Sequence, residues 1–209
     1  MDDPAQAQAY AAADFEAPHA EFINLLQRQI NTTPTHILEL GCGTGDITWR
    51  LAQAFPDSHI DALDGAQAML QCAENVIQQH ALQSRVQLLH CHLPTDTLAT
   101  DYDAMFCNAT LHHLNDPLVL WQTIKQAAQQ GADIFVMDLA RPASLEAAAE
   151  IITTHAANEA EILKQDFYNS LLAAYSVDEI REQLDHCGLS SLTVEMSSDR
   201  HWAVSGQQP

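Results

Sequence analysis

A glycine-rich loop constrains the fold of this chain more than any other feature of its sequence. The apolar run Ile37–Leu40 is typical of a buried strand, and it breaks directly into three alternate glycines, Gly41, Gly43 and Gly45. The residues from Ile47 onward have helical periodicity. Glycine has no Cβ atom, so the backbone can turn sharply and expose N–H groups, and the N-terminus of the following helix favours an anionic group. The loop therefore predicts a ligand site between a strand and a helix.

Short apolar runs alternate with longer amphipathic segments along most of the chain. The predicted strands are residues 36–40, 59–64, 86–91, 104–108, 133–138, 192–196 and 201–205. The predicted helices include 47–55, 66–80, 117–129 and 177–187. This alternation favours a parallel sheet with crossover helices, and the last two strands predict a hairpin. The expected fold is α/β, a Rossmann-like seven-stranded, mostly parallel sheet with helices on both faces and an antiparallel last strand.

The length of 209 residues suits one hydrophobic core, so a single domain is expected. Its predicted parts are an N-terminal helical lid (1–33), a ligand-binding core (34–140), a helical insertion (141–175) and a final helix with a strand hairpin (176–209). In the insertion, residues 144–163 are predicted to be helical. Residues 166–170 mix polar and aromatic side chains without helical periodicity, and they predict an irregular pocket wall.

The charge and the cysteines exclude several classes of partner. Twenty-eight acidic residues against eight Lys and Arg give a net charge of −20, which repels nucleic acids and anionic membranes. No apolar run approaches the roughly 18 residues of a membrane span, and the acidic N-terminus does not resemble a secretory signal, so a cytoplasmic protein is expected. Five cysteines without a CxxC pair argue against disulfides and a zinc ribbon, and His90, His92 and His112 lack metal-ligand spacing. No metal is expected.

Asp64, at the end of the second predicted strand, narrows the choice of ligand. A carboxylate at this place can accept hydrogen bonds from both hydroxyls of a ribose. The dinucleotide fingerprint needs its third glycine one residue after Gly45, and the Lys-Ser/Thr of a P-loop is absent. Glu39 and Asp64 are two acids that suit the ammonium and sulfonium groups of S-adenosylmethionine. A nicotinamide-dependent oxidoreductase, a non-catalytic adenosylmethionine-binding regulatory module and a purely structural turn remain as alternatives.

Three segments resemble one enzyme family. Residues 39–45, Glu-Leu-Gly-Cys-Gly-Thr-Gly, resemble motif I of the class I S-adenosylmethionine-dependent methyltransferases. Residues 60–70 resemble the second strand and following helix of that family, and 108–114, Asn-Ala-Thr-Leu-His-His-Leu, resemble the segment after the fourth strand in its small-molecule members. The resemblance spans about residues 35–140. It implies methyl transfer from S-adenosyl-L-methionine to a small metabolite by in-line displacement, with S-adenosyl-L-homocysteine as the product.

The resemblance also implies which residues hold this cofactor. Glu39 would lie near the methionine amine, and Asp64 would bind the ribose. The methionine moiety would contact Gly41, Cys42, Gly43 and Gly45, and the adenine would contact Gly65, Ala66 and Met69. Further cofactor contacts are expected from Tyr10, His92, Leu93, Asn108 and His113. The chain departs from the family where His92 replaces the acid often found after the third strand, and where Gln-Gly-Ala at 130–132 replaces Pro-Gly-Gly.

Residues just beyond the strand ends are candidates for catalysis, because ligands of an open parallel sheet lie at that edge. Arg141 follows the fifth strand and Arg200 lies in the final hairpin, where a guanidinium can hold a carboxylate or phosphate, so a small anionic acceptor is predicted. His112 is the predicted general base. Tyr168 is predicted to line the pocket. The alternatives are an acid partner for each arginine, a packed or capping histidine, and lid packing of the tyrosine. The sequence indicates neither the acceptor atom nor the oligomeric state.

Overall fold

The computed structural model describes residues 4–30, 32–95 and 97–209. Helices α1 (Pro4–Ala12) and α2 (Glu16–Gln29) precede the sheet. The strands are β1 (His36–Leu40), β2 (His59–Asp64), β3 (Val86–His90), β4 (Tyr102–Asn108), β5 (Ala128–Leu139), β6 (Thr193–Met196) and β7 (His201–Gln207). The other helices are α3 (Asp46–Ala54), α4 (Gln67–Gln79), α5 (Leu118–Ala127), α6 (Leu145–His155), α7 (Glu161–Ala173) and α8 (Val177–Cys187). A 3-10 turn (Leu111–His113) lies between β4 and α5.

The strands form one sheet in the order β3-β2-β1-β4-β5-β7-β6. Pairing is parallel from β3 through β5, whereas β7 is antiparallel to both β5 and β6. These findings confirm the expected Rossmann-like sheet with its antiparallel final strand. The strand order reverses between β1 and β4, so the crevice at the carboxyl ends of these two strands is the topological switch point where such sheets bind ligands.

Apolar residues cover both faces of the sheet. Along β1, Ile37 packs in a cluster with Phe22 of α2, while Leu38 and Leu40 point to the opposite face and pack in a cluster with Trp121 of α5. All five of these side chains are fully buried. Successive residues of a strand point to opposite faces, so a strand buried on both sides is apolar throughout, as β1 is apart from His36 and Glu39.

Helix α8 has its predicted bounds, and residues at its two ends show why. The Ser176 hydroxyl accepts a hydrogen bond from the Glu179 backbone N–H at 3.3 Å, and the Glu179 carboxylate accepts one from the Ser176 N–H at 2.8 Å. Gly188, with φ of +71°, ends the helix in the left-handed conformation. These bonds satisfy backbone groups that have no partner inside the helix, which is why the local sequence determines its limits.

The prediction of an irregular segment at 166–170 was wrong, because these residues lie inside α7. Phe167 and Leu171, one helical turn apart, pack in the same small cluster as Ala148 of α6. The predicted single helix over 144–163 is in fact two, since α6 ends at His155 and α7 begins at Glu161. The tertiary contact between α6 and α7 therefore organises a stretch whose own periodicity is weak.

Candidate functional site

Two glycines of the glycine loop, residues 41–45, have different structural roles. Gly41 has φ of +77°, and a Cβ atom built on it would lie 2.0 Å from the Thr110 hydroxyl oxygen, so this position must be glycine for the loop to pack against the segment that follows β4. Gly43 has φ of +53°, and no described atom lies within 4 Å of the place of its Cβ. Gly43 therefore presents bare backbone to open space, which is the arrangement needed for close approach of a ligand.

The Asp64 carboxylate is held against this loop by two backbone N–H groups. One oxygen accepts a hydrogen bond from Gly43 and the other from Ala66, each at 2.8 Å. Both contacts fix the direction of the carboxylate, while each oxygen has further lone-pair capacity for a ligand hydroxyl. The structure therefore places an oriented acceptor at the carboxyl end of β2, next to the open face of Gly43.

Glu39 lies beneath the loop and is only 2% exposed. Its carboxylate accepts a hydrogen bond from the Thr48 hydroxyl at 2.6 Å. Burial raises the pKa of Glu39 to about 8, the Thr48 bond opposes that rise, and the charges of Asp64 and Asp46 add to it. A cationic ligand above the loop would favour the ionised carboxylate, because an opposite charge nearby stabilises the charged form.

A cavity of about 610 Å³, here named the loop cavity, adjoins the glycine loop and the carboxyl ends of β2 and β4. The predicted cofactor residues in its wall are Tyr10, Gly41, Cys42, Gly43, Asp64, Gly65, Ala66, Met69, His92, Leu93, Asn108 and His113. Glu39 and Gly45 lie outside the wall. Gly45 begins α3 with φ of +86° and packs closely on Ala73, so its role is in the fold.

Sequence reasoning did not place several other residues in this wall. They include His19, which was expected only in a lid, and Thr44, Asp46, Ile47, Leu63, Cys91, Pro94, Ala109, Thr110, Leu114, Asn115, Asp116 and Val119. Ala109 has φ of +51°, a conformation that non-glycine residues adopt rarely and that clusters at functional sites. Only their positions along the chain could have identified these residues, because most of them directly follow a strand or a residue already predicted to bind the cofactor.

Helices α1 and α2 close one side of the loop cavity. Tyr10 of α1 lies in its wall, and burial raises the pKa of this phenol to about 12. His19 of α2 contacts the Asp46 carboxylate, the first residue of α3, at 2.5 Å. Arg50 bridges the same two helices, with bonds of 2.8 Å to Asp46 and 2.6 Å to Glu16. This network fastens the N-terminal helices to the helix that follows the glycine loop.

The two histidines of the 3-10 turn have different surroundings. His112 is buried, and its Nδ1 lies 2.6 Å from a carboxylate oxygen of Asp138, itself 1% exposed. His113 lies in the wall of the loop cavity and has an exposed face. Partial burial and the neighbouring His112 lower the pKa of His113 to about 4. The side chain that reaches the cavity is therefore His113, whereas the predicted base His112 lies behind it.

Neither predicted substrate arginine lines the loop cavity. Arg141 donates two bonds of 2.8 Å to the Glu179 carboxylate and one to the Ala174 carbonyl oxygen. Arg200 donates to Asp199 at 2.8 Å and contacts the His155 ring at 3.1 Å. In both cases the structure shows the alternative considered from the sequence, in which the arginine pairs with an acid.

Tyr168 does not line the loop cavity either. Its ring packs with Ile151 and Ile152 of α6 against a cluster that contains Leu139 and Leu171. Tyr168 lies on the face of α7 that meets α6. It therefore packs within the helical insertion, which was the alternative to its predicted place in the pocket wall.

Three further observations concern the described residues outside the loop cavity. A separate cavity of about 680 Å³ lies between α4 and the edge strand β3, away from the glycine loop. Within the described residues, no group of three or more His, Cys, Asp or Glu side chains is arranged to hold a metal ion. Nor does any described helix combine the length and apolar character needed to cross a membrane. The loop cavity is thus the candidate site.

The loop cavity fits S-adenosylmethionine on three observations. Gly43 leaves open space for a ligand against backbone, Asp64 offers an oriented acceptor for a ribose, and the acidic groups match a cationic ligand. Comparison with known proteins agrees with this fit. Residues 38–134 match the family described as "Methyltransferase domain". This matched segment is a methyltransferase domain of the class I S-adenosylmethionine-dependent type. S-adenosylmethionine is its cofactor, which excludes the nicotinamide alternative.

Curated relatives of this methyltransferase share part of its sequence. A malonyl-[acyl-carrier protein] O-methyltransferase of Bacillus cereus is 35% identical over 108 residues, which cover 51% of this chain and 38% of the relative. A tRNA1(Val) (adenine(37)-N6)-methyltransferase of Vibrio cholerae is 37% identical over 76 residues, which cover 36% of this chain and 32% of the relative. The matches thus span about a third of the length of these relatives.

Solved structures extend the similarity of the methyltransferase to nearly the whole chain. A SAM-dependent methyltransferase from Aquifex aeolicus superposes with a TM-score of 0.75 and covers 99% of both chains, at 16% sequence identity. An O-methyltransferase family protein from Burkholderia thailandensis gives a TM-score of 0.71, covering 97% of this chain and 59% of that one, at 14% identity. At sequence identities this low, the structural similarity shows a shared fold and nothing more specific.

Proposed function

We propose that this methyltransferase transfers the methyl group of S-adenosylmethionine to a small-molecule acceptor bound in the loop cavity. The observation that carries the proposal is the shape of this cavity, which continues from Gly43 and Asp64 past Asn108 to His113 and Asp116. Its volume of about 610 Å³ lies in the range of small-molecule sites. Helix α1 and the fastening of α2 to α3 restrict access from one side, which suits a small acceptor better than a polymer.

The charges in the cavity wall favour an uncharged acceptor. Asp46, Asp64 and Asp116 line the wall, and no Lys or Arg among the described residues does so. Arg141 and Arg200, on which the prediction of an anionic acceptor was based, are paired with acids elsewhere. Asp46 is paired with Arg50, but an anion in this cavity would still face Asp64 and Asp116, in a chain of net charge −20 and without a Lys or Arg among the described wall residues. We therefore propose a neutral hydroxyl or amine acceptor in place of the predicted anion.

The same argument applies to the malonyl-[acyl-carrier protein] named for the Bacillus relatives. A malonyl group carries a carboxylate, and the wall of the loop cavity offers it no guanidinium or ammonium group within the described residues. The sequence match also covers only 38% of the B. cereus relative. We do not propose that substrate for this chain.

Catalysis by such a site needs alignment and exclusion of water more than covalent chemistry from the protein. The bound cofactor supplies an electrophilic methyl group on a sulfonium. In our proposal Asp64 orients the ribose, the backbone at Gly43 receives the methionine portion, and Glu39 adds negative charge beneath it. The His19–Asp46 and Arg50–Glu16 contacts hold α2 over the site. Together these groups would hold donor and acceptor in line.

The proposal is tested by incubating the protein and a metabolite extract with methyl-labelled S-adenosylmethionine, followed by mass spectrometry of the labelled products. A labelled small molecule supports it, and Asp64→Ala is the control variant that should strongly reduce labelling at low S-adenosylmethionine concentration. Calorimetry with S-adenosylhomocysteine is run alongside. Binding of S-adenosylhomocysteine without any labelled product would favour a non-catalytic binding module and contradict the proposed reaction.

A further inference from the structure

The two histidines of the 3-10 turn differ in exposure. His112 is buried and lies against His113, which is exposed. The ring centroids of His112 and His113 lie 4.0 Å apart, with 45° between the ring planes. The side chain of His112 is 4% exposed and that of Asp138 is 1% exposed. His113, in contrast, faces the loop cavity on its open side. The His113 ring thus lies between the buried His112 side chain and the loop cavity.

Asp138 anchors this support from the end of β5. Its carboxylate accepts hydrogen bonds from the backbone N–H of Leu139 at 2.6 Å and of His112 at 3.3 Å, besides the contact with the His112 ring. A carboxylate with three such partners holds both the backbone and the ring of His112. The 3-10 turn is therefore tied to the sheet directly behind His113.

Charged and titratable groups from several elements surround this pair. Asp166 of α7 and Asp138 act on His113, while Tyr10 of α1 and His201 of β7 lie in the field of Asp138. Burial lowers the pKa of His201 to about 4 and raises that of Tyr10 to about 12, so neither carries charge at neutral pH. Of these titratable side chains, His112 is the one in direct hydrogen-bond contact with the buried Asp138 carboxylate.

We propose that His113 binds the methyl acceptor through its hydroxyl and takes the proton that methyl transfer releases, while His112 and Asp138 position its ring. This inference rests on the proposed function and deepens it. In the step, the S–CH₃ bond breaks with its electron pair left on sulfur, and a new bond joins the methyl carbon to the acceptor oxygen. The hydroxyl proton passes to a ring nitrogen of His113 and then to water, so atoms and charge balance.

The surroundings of His113 suit this task. Its lowered pKa keeps the ring unprotonated at neutral pH, so a ring nitrogen can accept a hydrogen bond from an acceptor O–H. A hydroxyl becomes strongly acidic once its oxygen bears the transferred methyl group, so even a weakly basic imidazole can take its proton. A methylated amine is an ammonium too weakly acidic to give its proton to such a ring, and a carboxylate acceptor has no proton to give. The surroundings of His113 therefore assign hydroxyl acceptors to the site.

The experiment compares His113→Ala with native protein by the rate at which label from methyl-labelled S-adenosylmethionine enters small molecules of a metabolite extract. The rate should fall at least about 100-fold, the usual effect of losing a proton-transfer group. Calorimetry should still show binding of S-adenosylhomocysteine to the variant, and the rate should stay low at saturating S-adenosylmethionine. Added imidazole should restore part of the rate, a response that loss of a merely structural side chain would not give. His186→Gln, on the exposed side of α8, is the matched control.

The positioning role is tested by a double-mutant cycle. Asp138→Asn should reduce the rate in native protein and cause no further loss in His113→Ala, because it acts through the same ring. Full additivity would assign Asp138 to the fold alone and overturn the positioning claim. His113→Asn serves as a second variant if His113→Ala does not fold.

Two results separate this inference from the proposed function. Full activity of His113→Ala would overturn the inference and leave the methyltransferase reaction standing, whereas absence of labelling by the native protein would overturn both. A panel of catechol, benzylamine and malonate tests the acceptor class. Labelling of catechol supports the inference, and labelling of benzylamine or malonate without labelling of catechol contradicts it.

Discussion

Replacing Glu39 by glutamine should make the stability of this protein far less dependent on pH. Burial raises the pKa of Glu39 from its ordinary 4.5 to about 8, so the folded chain keeps this proton over a range in which the unfolded chain has lost it. The stability from this group is therefore complete below pH 4.5 and decreases as the pH rises towards 8. At about 1.4 kcal/mol for each pH unit, the loss between pH 5 and pH 8 is on the order of 4 kcal/mol.

Glutamine has nearly the same shape and can still accept the hydrogen bond from Thr48, but it does not ionise. Any fixed cost of its buried amide is the same at every pH. The difference in melting temperature between Glu39→Gln and native protein should therefore increase in favour of the variant from pH 5 to pH 8. For a chain of 209 residues the expected increase is about 10 °C.

The measurement is thermal unfolding by circular dichroism at pH 5, 6, 7 and 8 without cofactor. Glu74→Gln, on the exposed side of α4, is the matched control and should follow the native protein at every pH. The same variant should bind S-adenosylmethionine more weakly, since it lacks the negative charge beneath the loop. Parallel curves for Glu39→Gln and native protein would show that Glu39 does not carry a raised pKa, and the argument from burial would fail.

Other substitutions test the site. Gly43→Val should abolish binding of S-adenosylhomocysteine in calorimetry with an unchanged circular dichroism spectrum, because the side chain fills the open space at Gly43; unchanged affinity would make the loop a turn only. Asp64→Ala should weaken the same binding by about 2–3 kcal/mol, the value of hydrogen bonds to a charged group, and normal affinity would place the ribose elsewhere. Arg141→Gln and Arg200→Gln should leave the KM of an identified acceptor unchanged in steady-state assays; a several-fold rise would restore the predicted anionic acceptor.

The sequence alone determined the features that depend on near neighbours along the chain. The capping box of Ser176 and Glu179 spans three residues, so α8 has its predicted limits. The glycine loop combines a strand, a turn and a helix start within one short segment, and the same segment carries the family resemblance. Apolar runs long enough for buried strands predicted the sheet, because burial on both faces requires apolar residues throughout.

Only the tertiary structure decided which distant groups meet. Glu179 lies 38 residues from Arg141 in sequence and neutralises it at the surface, and Asp138 lies 26 residues from His112 and holds it in the core. Charge pairing and burial depend on three-dimensional neighbours, which no local pattern records. For the same reason the sequence selected the His112–His113 pair but could not tell which ring reaches the cavity. That choice follows from the packing of the 3-10 turn against β5.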